Sequence, residues 1–129
     1  MQAALTRVYS GSPWEQSVGY CRAIRTGNTI IVSGTVAVND DGTPHAPHEP
    51  YAQTRCCYEI IFKALKELQT NHTCITRVRM FVTDIARSAD YAKAHTEIMQ
   101  GHHPCMTMVE VSKLILPEFV VEIEVEGSN

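Results

Sequence analysis

The sequence predicts one α+β domain spanning residues 1–129, with two helices packed on one face of a mostly antiparallel sheet of about six strands. Its 129 residues, 44% of them hydrophobic, are enough for one hydrophobic core and too few for two ordinary domains. Two long segments have the spacing of amphipathic helices, and six shorter segments are β-branched or alternate apolar with polar residues. The predicted order along the chain is β-β-β-α-β-α-β-β.

Three strands are predicted before the first helix. Residues 6–9 form a short strand, which ends where residues 11–13, Gly-Ser-Pro, interrupt regular structure. Residues 20–25 and 29–38 are β-branched or alternating, and the Gly27-Asn28 pair between them predicts a hairpin with a tight turn.

The first helix is predicted over residues 51–69, with Pro50 in its first turn. Apolar residues recur there every four positions and form one stripe, namely Ala52, Cys56, Ile60, Ala64 and Leu68, widened by Ile61 and Leu65. The second helix is predicted to begin at Ser88, a candidate N-cap, and to end at Gln100, before Gly101.

The other three strands are predicted at residues 73–83, 105–111 and 119–125. Side chains alternate along a strand, so the last strand has one apolar face, made of Phe119, Val121, Ile123 and Val125. Glu122, Glu124 and Glu126 share the opposite face. We expect the apolar face to join the core and Glu124 and Glu126 to face solvent.

Composition excludes several classes of function. The net charge is −3, and no cluster of lysine and arginine is present to follow a phosphate backbone, so nucleic acid is disfavoured as a partner. Five cysteines without a CxxC pair fit neither a disulfide framework nor a zinc site, and they favour a reduced, cytoplasmic location. No secretion signal or membrane span is expected. We expect neither a metal nor a cofactor.

The segment from His103 to Gly127 resembles the C-terminal end of the RidA (YjgF) family. Family members that hydrolyse imines typically read Pro-Ala-Arg-Ser/Thr-x-Val-Glu-Val, where this chain has Pro-Cys-Met-Thr-Met-Val-Glu-Val at residues 104–111. Gly19-Tyr20, residues 27–34 and residues 77–84 are also similar to the family. The resemblance implies a chorismate-mutase-like fold, assembled as a homotrimer with ligand clefts between subunits.

The resemblance also implies a function, which is binding of a small carbonyl or imine metabolite and hydrolysis of an enamine or imine. Met106 stands where the imine hydrolases have an arginine that binds the substrate carboxylate. Three readings follow: an uncharged or more apolar substrate, a regulatory trimer that binds a metabolite without turnover, or replacement of the arginine from elsewhere. Endoribonuclease or translation-inhibitor activity is less favoured, because the charge balance is acidic.

The resemblance to the family also implies which residues form the site. Glu122 aligns with the family's water-positioning glutamate, Tyr20 with its pocket tyrosine, and Ser33 with a small polar residue near the ligand. Cys105, Met106 and Thr107 occupy the motif's substrate-binding positions. Cys105 is a nucleophile only if a basic group lowers its pKa, and otherwise it is a small hydrophobic residue. Met106 and Met108 share a strand face, which predicts a more apolar cleft that favours neutral ligands.

Arg22 is the candidate replacement for the missing cation. It lies two residues after Tyr20, so in an extended strand both side chains point to the same side. If that side lines the cleft, Arg22 can bind a substrate carboxylate. The alternative is a solvated surface arginine.

Overall fold

The computed structural model describes residues 4–129 and has the predicted α+β architecture. The strands are β1 Leu5–Val8, β2 Ala23–Thr26, β3 Thr29–Val36, β4 Ile75–Val82, β5 Cys105–Glu110 and β6 Val121–Ser128. The helices are α1 Pro13–Val18, α2 Pro50–Glu67 and α3 Ser88–Met99, with short 3-10 turns at His72–Cys74 and Ile85–Arg87. All six predicted strands and both predicted helices are therefore present, with boundaries that differ by a few residues.

The six strands form one mixed sheet in the order β1-β2-β3-β6-β4-β5. Every neighbouring pair is antiparallel except β4 and β5, which are parallel and are joined across the sheet by α3. The C-terminal strand β6 is thus inserted between β3 and β4. This order places Glu122 in the middle of the sheet and the Cys105–Glu110 strand at its edge.

The core lies between one sheet face and helices α2 and α3. Alternate residues of β4 and β6 enter it, including Met80 and Ile123, and they pack with Tyr58 and Leu65 of α2 and Tyr91 of α3. The predicted apolar stripe of α2 is rotated slightly, because Cys56 and Ile60 are only half-buried while Gln53 and Thr54 are fully buried.

Gln53 is buried because its amide group satisfies four backbone groups. Its Nε2 donates to the carbonyl oxygens of His45, Ala46 and Glu118, and its Oε1 accepts from the Val120 amide. An apolar side chain at this position would remove the partner of the Val120 amide and of the His45 carbonyl oxygen, whereas the Ala46 and Glu118 carbonyl oxygens also accept from backbone amides. Periodicity alone could not identify this residue as a core position.

The opposite sheet face is charged and partly apolar. The Arg79 Nη1 atom donates to Glu124 at 3.3 Å and to Glu126 at 2.9 Å, so the acidic face predicted for β6 is balanced by an arginine of β4. Ile31 and Val109 pair across strands with residues of this face and are 50% and 42% exposed. No element among residues 4–129 covers these two side chains.

Helix α1 was not predicted. Gly11 and Ser12 are irregular as expected, but Pro13 begins a helix. Pro13 occupies the first helical position, where its missing N–H would have no intrahelical partner. Gly19 ends the helix with φ 89°, and its N–H bonds to the Glu15 carbonyl oxygen. A proline at the start and a glycine just past the end was the sequence signal for this helix.

A β-bulge interrupts the pairing of β3 with β6. Val32 pairs with Val125 and Thr35 pairs with Ile123, so Ser33 and Gly34 together lie opposite Glu124. Such a bulge bends the strand and redirects the side chains next to it. It lies beside the candidate site.

Candidate functional site

A cavity of about 310 Å³, which we call the Glu122 cavity, opens where β6, the β3 bulge and α1 meet. Its polar wall is formed by Tyr20, Arg22, Thr35 and Glu122. Its apolar wall is formed by Trp14, Val18, Val36, Val38, Ile60 and Ile115. Apolar walls with a few convergent polar groups are typical of small-molecule sites.

Glu122 is the carboxylate of this cavity. It is half-buried on β6, and burial raises its pKa above the ordinary value of 4.5. The Arg22 guanidinium opposes that increase, and Glu124 adds to it. A carboxyl group with a raised pKa holds a proton more readily, which suits general acid and base chemistry.

Gly34 provides the space for this carboxylate. A Cβ atom on residue 34 would lie 2.1 Å from Glu122 Oε2, which is far inside van der Waals contact. The three nearest atoms all belong to the Glu122 side chain, so a methyl group here would displace the carboxylate rather than the backbone. The bulge therefore sets the position of Glu122.

Arg22 is buried, which corrects the interpretation of a solvated surface arginine. Its side chain is 6% exposed, and its Nε donates to Glu15 Oε2 at 3.1 Å. Its Nη1 donates to the Gly34 carbonyl oxygen at 2.7 Å and to Thr35 Oγ1 at 2.9 Å. Because β2 begins only at Ala23, Arg22 precedes the strand in which it was predicted.

One end of the Arg22 guanidinium remains available. Within residues 4–129 its second terminal nitrogen, Nη2, has no hydrogen-bond partner, and it is not fully enclosed. Arg22 lines the Glu122 cavity and lies over the Tyr20 ring at 5.4 Å from the ring centroid. The sequence predicted that Tyr20 and Arg22 would be close, and the structure places them together.

Glu15 is the site residue that sequence analysis missed. It lies on α1, is 3% exposed, and accepts hydrogen bonds from the Ser10 amide at 2.9 Å, the Ser10 hydroxyl and Arg22 Nε. The sequence signal for Glu15 was its position in the first turn of a helix that begins at a proline and ends before a glycine. The pair of Glu15 and Arg22 connects α1 to the β3 bulge.

Ser33 does not line the cavity, although it was predicted to lie near the ligand. Its hydroxyl donates to the Cys21 carbonyl oxygen at 2.8 Å, and the neighbouring Gly34 forms the wall instead. Residue 33 therefore supports the loop that carries Tyr20 and Arg22.

Cys105, Met106 and Thr107 are not near Glu122 within one chain. All three are exposed on β5, which is separated from β6 by β4. From strand spacing and rise, the Cα atoms of Met106 and Glu122 are roughly 14 Å apart. Met106 pairs with Val78 and Met108 with Met80, so both methionines lie on the helix side of the sheet. They share one face, as predicted, but Glu122 lies on the opposite face.

Residues 4–129 offer neither a metal site nor a membrane-spanning helix. No group of three His, Cys, Asp or Glu side chains is arranged to hold a metal ion there. No helix in the same range has the length and apolar character needed to span a membrane.

Known proteins of similar sequence match nearly the whole chain. The family model described as endoribonuclease L-PSP matches residues 12–127. An uncharacterized protein of Streptomyces coelicolor is 32% identical over 124 residues, which are 96% of this chain and 92% of that protein. The protein mmf2 of Schizosaccharomyces pombe, named as mitochondrial, is 28% identical and covers 83% of each chain.

Solved structures show the same fold. Rv2704 of Mycobacterium tuberculosis, described as a member of the highly conserved YjgF/YER057c/UK114 family, has a TM-score of 0.87 and 36% identity, covering 98% of this chain and 100% of that one. Yeast Mmf1 has a TM-score of 0.86 at 22% identity, covering 97% and 98% of the two chains.

Proposed function

This chain belongs to the endoribonuclease L-PSP (YjgF) family, and we propose that it is a RidA-like protein that binds a small carbonyl or imine metabolite and hydrolyses the imine. The observation that carries the proposal is Glu122, whose half-buried carboxyl group has a raised pKa and lies against Gly34 in a small-molecule cavity. Tyr20 and Arg22, which can both donate hydrogen bonds, line the same cavity.

The reaction needs only modest catalysis, because imines already react with water. Glu122 accepts a proton from a water molecule as the water oxygen bonds to the imine carbon. The C=N π electrons move to nitrogen, which takes up the proton from Glu122. In the resulting carbinolamine, Glu122 accepts the hydroxyl proton and passes it to the amino nitrogen, so the C–N bond breaks and a carbonyl compound and ammonia leave. Positioning of the water and stabilisation of charge are the protein's contributions.

We assign substrate binding to Arg22 and Tyr20. The free Nη2 of Arg22 donates to a substrate oxygen, and the Tyr20 hydroxyl orients the same end of the molecule. This arrangement replaces the arginine that the imine hydrolases carry at the position of Met106. It favours a carbonyl or carboxylate oxygen over a fully apolar ligand.

Assembly as a homotrimer would complete the site. The sheet has a free edge at β5 and exposes Ile31 and Val109 on its uncovered face, and a second copy would bury such surfaces. Because Met106 lies roughly 14 Å from Glu122 in one chain, Cys105, Met106 and Thr107 can line a cleft only if another subunit supplies them.

The trimer has a direct test. We expect multi-angle light scattering to give three times the mass of the 14.4 kDa chain at micromolar concentration. Val109→Glu, on the uncovered face, should weaken assembly because it buries a charge, whereas Glu59→Lys on the exposed side of α2 should not. A monomeric wild-type protein would contradict the intersubunit cleft.

Met106→Arg tests the contribution of the edge strand. We expect hydrolysis of a carboxylate-bearing imine, generated in situ from 2-aminoacrylate, to rise about tenfold, on the scale of one recovered charge-assisted hydrogen bond. Met106→Gln is the control, since it has a similar length and no charge. No effect of either variant would show that residue 106 does not approach the substrate, and an equal effect of both would show that the added charge is not the cause.

Gly34→Ala tests the position of the catalytic carboxylate. The added methyl group displaces the Glu122 carboxylate, so we expect turnover to fall at least tenfold while the melting temperature changes little. The double variant Gly34→Ala with Glu122→Asp should recover part of the activity, because the shorter side chain leaves room for the methyl group. Full activity of Gly34→Ala would remove Glu122 from the mechanism.

A non-catalytic binding protein is the second candidate function, and the loss of the motif arginine at Met106 favours it. The same imine assay separates the two, because a binder gives no turnover by wild type or Met106→Arg while calorimetry still detects a bound keto acid or amide. RNA cleavage ranks below both, given the net charge of −3. A labelled single-stranded RNA incubated with the protein tests that ranking.

A further inference from the structure

A second cavity, of about 450 Å³, adjoins the Glu122 cavity. The two share the wall residues Ser10, Ser12, Trp14, Arg22, Val38 and Ile60. We call the second one the Lys63 cavity, after a lysine of α2 that lines this cavity and not the Glu122 cavity. Hydrolysis of a small imine beside Glu122 makes no use of this space. A ligand bound at Glu122 can therefore extend past Arg22 into it.

The walls of the Lys63 cavity are held by internal hydrogen bonds. On one side, Ser10 is bonded to Glu15 through its amide and its hydroxyl. On the other side, the Asn39 amide donates to the Thr43 carbonyl oxygen at 2.8 Å, and the Gly42 amide donates to the Asn39 carbonyl oxygen at 2.9 Å. Walls that are formed without a ligand reduce the entropy lost on binding.

Arg22 marks the junction between the cavities. It is 5% exposed, lines both cavities, and has an Nη2 atom without a partner among the described residues. Because Nη2 is not fully enclosed, its N–H groups can donate to an acceptor oxygen of a bound ligand. Because Glu15 already balances the charge of Arg22, a neutral carbonyl oxygen is sufficient.

The outer part of the Lys63 cavity has different chemistry. Its floor is apolar, formed by Val8, Trp14, Val38, Ile60 and Ala64. Its mouth carries the carboxylates of Asp40, Asp41 and Glu67. Apart from Arg22 at the junction, Lys63 is the one basic residue among the described lining residues. Hydrogen bonds from Thr43 lower the pKa of Asp41, so that carboxylate is ionised at neutral pH. The mouth therefore attracts a positive charge.

We infer that the Lys63 cavity is a second ligand compartment, which binds an apolar chain ending in an ammonium group, with the ligand's carbonyl oxygen on Arg22 Nη2. The ligand class is an ω-amino carbonyl compound. The placement of its reacting carbon beside Glu122 rests on the proposed function, whereas the affinity for the ammonium-bearing chain does not.

Calorimetry with four unreactive probes of similar length tests this assignment. The probes are 6-aminohexanamide, hexanamide, hexylamine and the monoamide of adipic acid, which vary the ammonium and the carbonyl separately. We expect 6-aminohexanamide to bind tightest, hexanamide and hexylamine about fivefold or more weakly, and the adipic monoamide weakest. The adipic monoamide binding tightest, or hexanamide matching 6-aminohexanamide, would overturn the inference.

Charge variants on α2 locate the bound ammonium group. Lys63→Glu should tighten binding of 6-aminohexanamide about fivefold at low salt, and Asp40→Asn should weaken it about threefold. Lys66→Glu is the matched control, with the same charge change on the same helix at a residue that lines neither cavity. Equal effects of Lys63→Glu and Lys66→Glu would overturn the assignment.

Glu122→Gln separates this inference from the proposed function. It should keep the order of affinities among the four probes, because Glu122 does not line the Lys63 cavity where the ammonium group binds. Absence of imine turnover in the wild type, together with the expected probe order, would reject the hydrolase and retain the compartment. Loss of the preference for 6-aminohexanamide over hexanamide in Glu122→Gln would place the ammonium group in the Glu122 cavity and overturn the inference.

Discussion

Replacement of Arg22 by methionine is expected to lower the free energy of unfolding by about 3–5 kcal/mol, the usual cost of removing one partner of a buried ion pair. The variant leaves the Glu15 carboxylate, 3% exposed, without its cation. It also removes the donor to the Gly34 carbonyl oxygen and to Thr35. Urea unfolding monitored by circular dichroism measures the loss.

A double-mutant cycle with Glu15 identifies the cause. Glu15→Leu alone should also be strongly destabilising, and the double variant should lose less than the sum of the two single losses. Arg87→Met is a control, because its pair with Asp90 is exposed to solvent and should contribute little to stability. A loss below about 1 kcal/mol for Arg22→Met would restore the interpretation of a solvated arginine.

The buried position of Arg22 also decides how its role in binding should be tested. Arg22→Ala would damage the fold and the site together, so loss of activity could not be assigned to substrate binding. Arg22→Lys keeps a charge for Glu15 but removes the free Nη2 atom. We expect it to fold and to raise KM for the imine more than it lowers kcat.

Replacement of Glu122 by glutamine is expected to reduce imine hydrolysis at least about 100-fold, the usual scale for loss of a general base. Glutamine has nearly the same shape as glutamate, so the cavity is retained while the proton acceptor is removed. The assay is ammonia release from an imine generated in situ. Glu124→Gln is the control on the same strand face, since Glu124 does not line the cavity.

The same variant should increase stability at neutral pH. Burial raises the pKa of Glu122, so the folded state binds this proton more tightly than the unfolded state. The associated stability is fully present below the ordinary pKa of 4.5 and is lost as the pH rises through the raised value. Glutamine does not ionise, so the gain in unfolding free energy should appear with rising pH and vanish in acid. A loss of stability at pH 7 would indicate that the Glu122 charge supports the fold.

Local patterns predicted much of this structure. Alternation along β6 assigned Val121, Ile123 and Val125 to the core and the glutamates to the other face, and the structure agrees. The helix α2 was found from its apolar period, although Gln53 and Thr54 proved to be buried and the stripe slightly rotated. Polar core residues have no periodic signal, because their burial depends on distant backbone groups.

The sequence by itself determined the six strands, helices α2 and α3, the faces of β6 and the family, because side-chain periodicity and motif residues are local properties of the chain. The tertiary structure alone decided which of the candidate residues meet. Insertion of β6 between β3 and β4 brings Glu122 to Gly34 and Arg22, and it leaves Met106 on the β5 edge. Strand order depends on long-range pairing. The burial of Arg22 depends on its ion pair with Glu15 of α1, a helix for which Pro13 and Gly19 were the only local signals.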